Sequence, residues 1–491
     1  MSVLLVRPPL SDRKRAFFSC QFPLNLCYLA SSLIEHCHDI SVFDFEAGGT
    51  VESFISFLKE KKPELIGFSC LTSNITAGAE LASMVRSILP ASINIVGGHH
   101  ASAIPERTLS EFSQFDICCI GEGEDSIVQL AESVSRKNND YSSIPGISFR
   151  NSDGEIKTNC IVPLRNVDTI PFPARELLNI SNYHGQSHRG FSRDFLRITE
   201  ITTSRGCNWK CSFCAQHVVS GGRRRSRSAE NVIAEIQECV NKFGFNHFNI
   251  HDDCFIEKNE PRRAIEIAEE FRRHKVTFNC NVRVDAVTKE LLFTLAKLGL
   301  TGISFGVESG SEHVLEDIRK KTAVKQIREA FMWAKSAKIP HVEATVMIGF
   351  PEENEAEICQ TADLIYKINP TDLMVSIAVP YPGTKLFKDF SVEKHVVKKE
   401  LWKEFKFYDT SAFWKAEGIL PEKLSKLQRR IMRKFYFHPA GIMNRLLHIR
   451  SSNELKYYIS AGMDFLKDNM ISRRTCPPIN LSAGKRADTT A

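Results

Sequence analysis

The 491-residue chain has no long hydrophobic run. No segment approaches the roughly 20 unbroken apolar residues that a membrane-spanning helix needs, so no span is expected. No secretory leader is expected either. In "MSVLLVRPPLSDRKR" the apolar run is short and the charges follow it, the reverse of a signal peptide. It has little excess charge of either sign. A net charge of +6, with 25% charged residues, makes no electrostatic case for nucleic acid or a membrane surface. No repeat of solenoid length occurs. The 15 cysteines lack the spacing of a disulfide framework. Most, such as Cys27, Cys70 and Cys239, fall in apolar stretches where a reduced thiol packs as a small hydrophobe. What remains is a cytoplasmic globular protein, 43% hydrophobic and long enough for two or three domains.

What is present is alternation. Over residues 1–145, "VLLVRPP", "DISVFDFE", "LIGFSCLT", "INIVGGHH" and "FDICCIGEGED" read as strands. Helical patterns lie between them, two of them stopped at Pro63 and Pro90. Alternating strands and helices predict a doubly wound α/β domain with a parallel sheet. Such sheets bind ligands at the carboxyl ends of their strands. Residues 146–195 break the rhythm with a hairpin around Asp153-Gly154 and the connector "IPFPARELL". From 196 to 386 six more strand–helix units follow, which predicts a partial (β/α)6 barrel with its chemistry at the strand carboxyl ends. Residues 387–472 read as helical and basic, and 473–491 as a disordered tail.

The first loop of the second domain holds "RGCNWKCSFC", with Cys207, Cys211 and Cys214. Thiolates suit zinc or iron–sulfur clusters. A closed zinc site needs four ligands. No second close pair is present, and only His217 stands near enough to complete a zinc knuckle. Three cysteines alone suit a [4Fe–4S] cluster with one iron open. Just beyond, "GGRRRSRS" reads as a solvated charge run with Ser228 as a helix N-cap; contact with an anionic cofactor or substrate is the alternative, ahead of a nucleic-acid patch.

CxxxCxxC with an aromatic before the last cysteine resembles the signature of the radical S-adenosylmethionine (SAM) enzymes. "HDDCF", "NVRVD", "GVESGSEHVL", "MIGFPEE" and "PYPGT" resemble that family's strand-end motifs, in family order. The resemblance implies that Cys207, Cys211 and Cys214 ligate the cluster. It implies SAM binding by Phe213, Asp252, Asp253, Arg283, Glu308 and Ser309. The first domain is similar to the cobalamin-binding domain fused to many such enzymes, through "RPP", "PLNLCYLAS", "IVGGHHAS" and "GEGE". That likeness implies cobalamin contacts from Ser69, Leu71, Thr72, Gly97, Gly98, His99, Gly121, Glu122 and Gly123. The Asp-x-His-x-x-Gly motif that gives cobalt a histidine in many cobalamin domains is absent. A base-off cobalamin with no histidine ligand is therefore expected.

The resemblance also implies an activity. It is methyl transfer to an unactivated carbon of a small-molecule or lipid-like metabolite, through a 5′-deoxyadenosyl radical and methylcobalamin. An oxidative cyclisation or rearrangement without methyl transfer is the alternative, since the anaerobic tetrapyrrole cyclase shares the layout. A reducing partner such as flavodoxin or ferredoxin would feed the cluster.

Overall fold

The run "SVLLVR" is apolar without alternation, which suits a strand covered on both faces. It forms β1 (Ser2–Arg7), with Val3 to Val6 almost wholly buried. The computed structural model describes residues 1–10, 20–161, 166–183, 196–391, 399–405 and 419–438, with residues 459 and 463. The predicted tail from 473 lies outside them. Around β1 stand β2 (Asp39–Asp44), β3 (Leu65–Ser69), β4 (Ile93–Gly97) and β5 (Ile117–Cys119), all parallel. Their order is 2-1-3-4-5. In that doubly wound order the chain reverses direction across the sheet between β1 and β3, and ligand crevices form there. The hairpin β6 (Ile147–Arg150) and β7 (Ile156–Thr158) is present around Asp153-Gly154. It does not stand in the connector, however. β6 pairs antiparallel with the short edge strand β5 and extends the first sheet to seven strands. An unpaired β5 edge would leave backbone groups open, and the hairpin covers them.

The second sheet carries all six predicted strands. They are β8 (Ile198–Ile201), β11 (His247–Ile250), β12 (Thr277–Val282), β13 (Leu300–Glu308), β14 (His341–Ile348) and β15 (Asp372–Ile377). Between β8 and β11 a small antiparallel pair, β9 (Ser204–Arg205) and β10 (Arg225–Ser226), closes the base of the cysteine loop. The order β15-β14-β13-β12-β11-β8 is fully parallel, a partial barrel. Its outer face and the surrounding helices share one apolar core, including Ile201, Phe248, Ile250, Phe278, Val232 and Ile236. The basic helix Pro421–Tyr436 lies along the outer strand β15. Leu424, Ile431 and Phe435 are buried, Gln428 donates to the Val375 carbonyl (2.6 Å) and the Tyr436 hydroxyl to that of Leu373 (2.8 Å). It packs as an amphipathic helix should.

The connector binds both domains. Arg175 is 1% exposed. Its guanidinium donates to Glu235 Oε1 (2.6 Å) and to the Glu200 carbonyl (2.9 Å). The other Glu235 oxygen pairs with Arg227, which reaches the Thr202 carbonyl (2.8 Å) and Tyr28 of the first domain (3.5 Å). Burial acts to raise the pKa of the Glu235 carboxyl, but the two guanidiniums outweigh it and hold it below the usual range. Ionisation of Glu235 therefore contributes stability above its unfolded value near ~4.3, and that contribution is lost as pH falls through the lower folded value. Removing one partner of a buried ion pair strands the others, at about 3 kcal/mol or more. We expect Glu235→Gln to lower the thermal unfolding midpoint clearly at pH 7. Glu238→Gln, which breaks only an exposed pair with Lys242 (3.4 Å), should leave it nearly unchanged.

Candidate functional site

The cysteine loop is set by its glycine. Gly206 has φ +83°, and a Cβ there would collide with the Arg223 carbonyl across the β9–β10 hairpin. Only glycine lets the two sides of the loop close so tightly. Cys207, Cys211 and Cys214 follow, half-buried and free of disulfides. Burial pushes Cys214 up to about 12, and it also raises Cys211 against the pull of Lys320 and Arg283. His217 spends Nε2 on the Gly383 carbonyl (3.1 Å), and so is not turned to a metal with the cysteines. Among the described residues no three Cys, His, Asp or Glu converge on a single-ion site. The arginines beyond are not a solvated run. Arg224 lies along the Phe255 carbonyl and Glu257, Arg225 pairs with Glu122 and Arg227 with Glu235. Each charge finds a buried or half-buried acceptor, and only Arg223 of the four is exposed. Ser228 caps the helix Ala229–Phe243 as expected.

The ends of β11, β12 and β13 face this loop. Asp252 is 2% exposed, and its oxygens accept from Thr203 N, Thr203 Oγ1 and Ser204 Oγ, all at 2.6 Å. It braces the strand entering the cysteine loop. Asp253 lies close enough to the cysteine loop for its charge to act on Cys214. Burial and the neighbouring Asp252 push the Asp253 carboxyl up to about 6, against a hydrogen bond from the Gly206 backbone. Arg283 pairs with Asp285 through two nitrogens (2.9 and 3.2 Å), donates to the Lys320 carbonyl (2.7 Å) and lies 3.9 Å from the Trp209 ring centre. It holds Trp209 of the loop rather than a free anion. Glu308 sits at a bulge ending β13, with φ +62°. Non-glycine residues hold that conformation at a cost, and bulges re-aim side chains beside functional sites. Glu308 pairs with Lys320 Nζ (2.7 Å), and Gly306 leaves room for both. Ser309 turns away to Thr361 (3.1 Å), and Phe213 packs on Phe350 with ring centres 5.7 Å apart.

Across from the loop stand the ends of β3, β4 and β5. Gly98 has φ +97°, and a Cβ there would stand 2.5 Å from the Cys70 carbonyl, so the loops after β3 and β4 touch through bare backbone. Ser69 accepts from Asn25 (2.7 Å), the Leu71 N–H donates to Asn74 (2.8 Å) and Thr72 meets buried His100 (3.2 Å). His99 Nε2 contacts Gln216 Oε1 (3.1 Å), two residues beyond the last site cysteine. Glu122 pairs with Arg205 (3.3 Å) and Arg225, while Glu124 holds Arg205 at 2.7 Å. Gly121 opens this turn with φ +78°, and Gly123 caps the next helix. The two sets of strand ends are thus bridged by ion pairs on either side of the cysteine loop.

Two family models match the chain. One describes the radical SAM superfamily and covers residues 201–365; the other describes a B12-binding domain and covers residues 15–131. The chain carries a B12-binding domain followed by a radical SAM domain. The chain is 29% identical over 444 residues to an uncharacterized methyltransferase of Pyrococcus horikoshii, covering 89% of this chain and 93% of that one. It is 27% identical over 350 residues to the anaerobic magnesium-protoporphyrin IX monomethyl ester cyclase of Cereibacter sphaeroides, covering 69% of this chain and 55% of the cyclase. In fold it resembles the radical SAM methyltransferase TsrM of Kitasatospora setae, solved with cobalamin and a [4Fe–4S] cluster. That likeness has a TM-score of 0.64 at 17% identity and covers 79% of this chain and 77% of TsrM.

The donor set of the radical SAM domain fits an iron–sulfur cluster. Three sulfurs share one loop, and burial disfavours the charged form of at least two of them, a cost that bound iron would offset. The B12-binding domain fits a corrinoid in a different way. Hydroxyls and glycine backbone line its strand ends, and a Cβ on Gly97 or Gly121 would meet nothing closer than 3.6 and 3.4 Å. His99 and Glu122 serve the domain contact rather than standing free. Sequence reading missed Lys320, which lies twelve residues past Glu308 in no periodic relation to it, and Trp209, whose role needs Arg283 above it. Arg205 stands two residues before Cys207, and that nearness was the available signal. We expect Arg205→Met to speed amide hydrogen exchange over 99–103, 121–124 and 216–220, while the helix Glu355–Ile368 keeps its protection. Unchanged exchange at all four would refute the bridging role.

Proposed function

We propose that the chain is a cobalamin-dependent radical SAM methyltransferase acting on an unactivated carbon of a small molecule. One observation carries the reading. The three-cysteine loop at the barrel mouth is bridged through Arg205, Arg225 and Gln216 to the glycine-rich strand ends of the B12-binding domain. When bound, a [4Fe–4S] cluster with SAM supplies a carbon radical by reductive cleavage, and cobalamin supplies a transferable methyl group. The chain's own work is positional. Cys207, Cys211 and Cys214 would hold the cluster and leave one iron to SAM. Asp253, whose charge acts on Cys214, would offer a carboxylate to the SAM ammonium. Glu308, aimed by the β13 bulge and fixed by Lys320, would take the ribose hydroxyls. Asp252 and Arg283 act behind them by fixing the loop from Thr203 to Trp209. The cobalamin contacts would come from Ser69, Leu71, Thr72, Gly97, Gly98, Gly121 and Gly123, with His99 and Glu122 shared with the domain contact. No helix among the described residues is long and apolar enough to cross a membrane. The electron would come from a small reducing protein such as flavodoxin or ferredoxin, in the cytoplasm.

The test is anaerobic reconstitution with iron, sulfide and cobalamin, followed by methyl-deuterated SAM and an extract of the source cell. Methyl transfer predicts a product heavier by one trideuteromethyl group, with S-adenosylhomocysteine formed in step. Deoxyadenosine without labelled product would instead favour an oxidative reaction like that of the cyclase relative. Cys211→Ala should abolish SAM cleavage and leave cobalamin binding largely intact.

A further inference from the structure

The first domain does not close its own core. One of its apolar clusters packs Val6, Phe68, Val96 and Cys118 of β1, β3, β4 and β5, and it is completed by Phe387, Trp402 and Phe405 from beyond the barrel. Trp402 is fully buried. Its indole N–H donates to Glu111 Oε2 (2.5 Å). The Arg107 guanidinium pairs with the same glutamate (2.7 Å) and lies 4.8 Å from the indole ring centre. Both residues belong to the helix Pro105–Glu111 of the B12-binding domain. A buried tryptophan has one donor to place, and a carboxylate of that domain takes it.

The same ring meets His100 edge-on, with ring centres 4.9 Å apart and planes at 86°. Burial pulls the pKa of His100 down to about 3, so its imidazole is neutral. Its Nδ1 lies 3.2 Å from Thr72 Oγ1, and its Nε2 has no hydrogen-bond partner among the described residues. One hydrogen bond and the surrounding rings therefore orient the imidazole. Without the indole it would lose the nearer of its two ring contacts, since Phe112 stands at 6.4 Å. Thr72 Oγ1 bonds only His100 among the described residues, so the hydroxyl keeps capacity for a ligand. The chain that brings Trp402 also touches the cysteine loop. The Leu386 N–H donates to the Ser212 carbonyl (2.9 Å), and the Gly383 carbonyl accepts from His217 (3.1 Å).

We propose that Trp402 is a positioning residue for the corrinoid: through His100 it fixes Thr72 beyond the end of β3, so that a segment after the barrel completes the cobalamin site. The inference rests on the reading that these strand ends hold cobalamin, and it adds a part of the chain that neither strand ends nor glycines mark.

Titration of the folded full-length protein with hydroxocobalamin, followed by absorbance, gives the test. Trp402→Leu is expected to bind about tenfold more weakly, the worth of one well-placed hydrogen bond. Phe387→Leu thins the same core but makes no ring contact with His100, and it should keep wild-type affinity. The double variant Thr72→Val with Trp402→Leu should bind no more weakly than Thr72→Val alone, because both changes act on one contact. Unchanged affinity in Trp402→Leu, an equal loss in Phe387→Leu, or additive losses in the double variant would overturn the inference. Hydrogen exchange on the wild-type protein decides even if the variants fail to fold. Cobalamin is expected to slow amide exchange over 399–405, and no change there would contradict the coupling. Wild-type protein that takes up no cobalamin would sink the proposed function and this inference with it. Wild-type uptake that Trp402→Leu leaves unaffected sinks the inference alone.

Discussion

The rest of the molecule depends on a carboxylate with no access to water. Glu235 lies on the inner face of the first barrel helix, 0% exposed, between Arg175 of the connector and Arg227 beside the cysteine loop. Neither guanidinium could be buried there without it. Through Arg227 the network reaches Tyr28 of the first domain, whose ring also carries Arg205 at 4.9 Å. Arg205 passes the connection to Glu124 and Glu122. One chain of charges thus fixes the connector, the cysteine loop and the B12-binding strand ends against one another. Buried ion pairs add little net stability, but their geometry is exacting. Their value here is register between two sites that must face each other.

Around that frame the polar groups follow one pattern. Residues first read as ligand contacts divide into those that touch the open crevice and those that hold them. Asp253 and Glu308 lie near enough to the cysteines for their charges to act on Cys214 and Cys211. Asp252, Arg283 and Ser309 are turned into the loops behind, each with its hydrogen-bonding capacity largely used. The division has a physical cause. Strand ends of a barrel crowd several carboxylates and cations together, and a side chain already held by several partners has little capacity left for a ligand, whereas Glu308 has the single cation Lys320 beside it.

The alternation of strands and helices was legible in the sequence, because unbroken apolar runs such as "VLLV" and amphipathic runs such as "NVIAEIQECVNKF" have distinct periods. The three cysteines were legible as a metal motif. What periodicity could not reveal was pairing between distant segments. Nothing local says that the hairpin after residue 146 joins β5, that Arg225 meets a glutamate about a hundred residues earlier, or that Lys320 neutralises Glu308. The basic run shows the limit well. Its composition looks solvated, and three of its four arginines are spent inside the protein.

The central claim is that the three cysteines hold a cluster with one iron reserved for SAM. Electron–nuclear double resonance on the reduced, reconstituted protein with SAM labelled by nitrogen-15 at its amino group tests it most directly. The account predicts a nitrogen coupling that shows the amino group bound to iron, lost together with the cluster signal in Cys214→Ala. A reduced cluster that shows no coupling to SAM, or one that survives intact in Cys214→Ala, would contradict it.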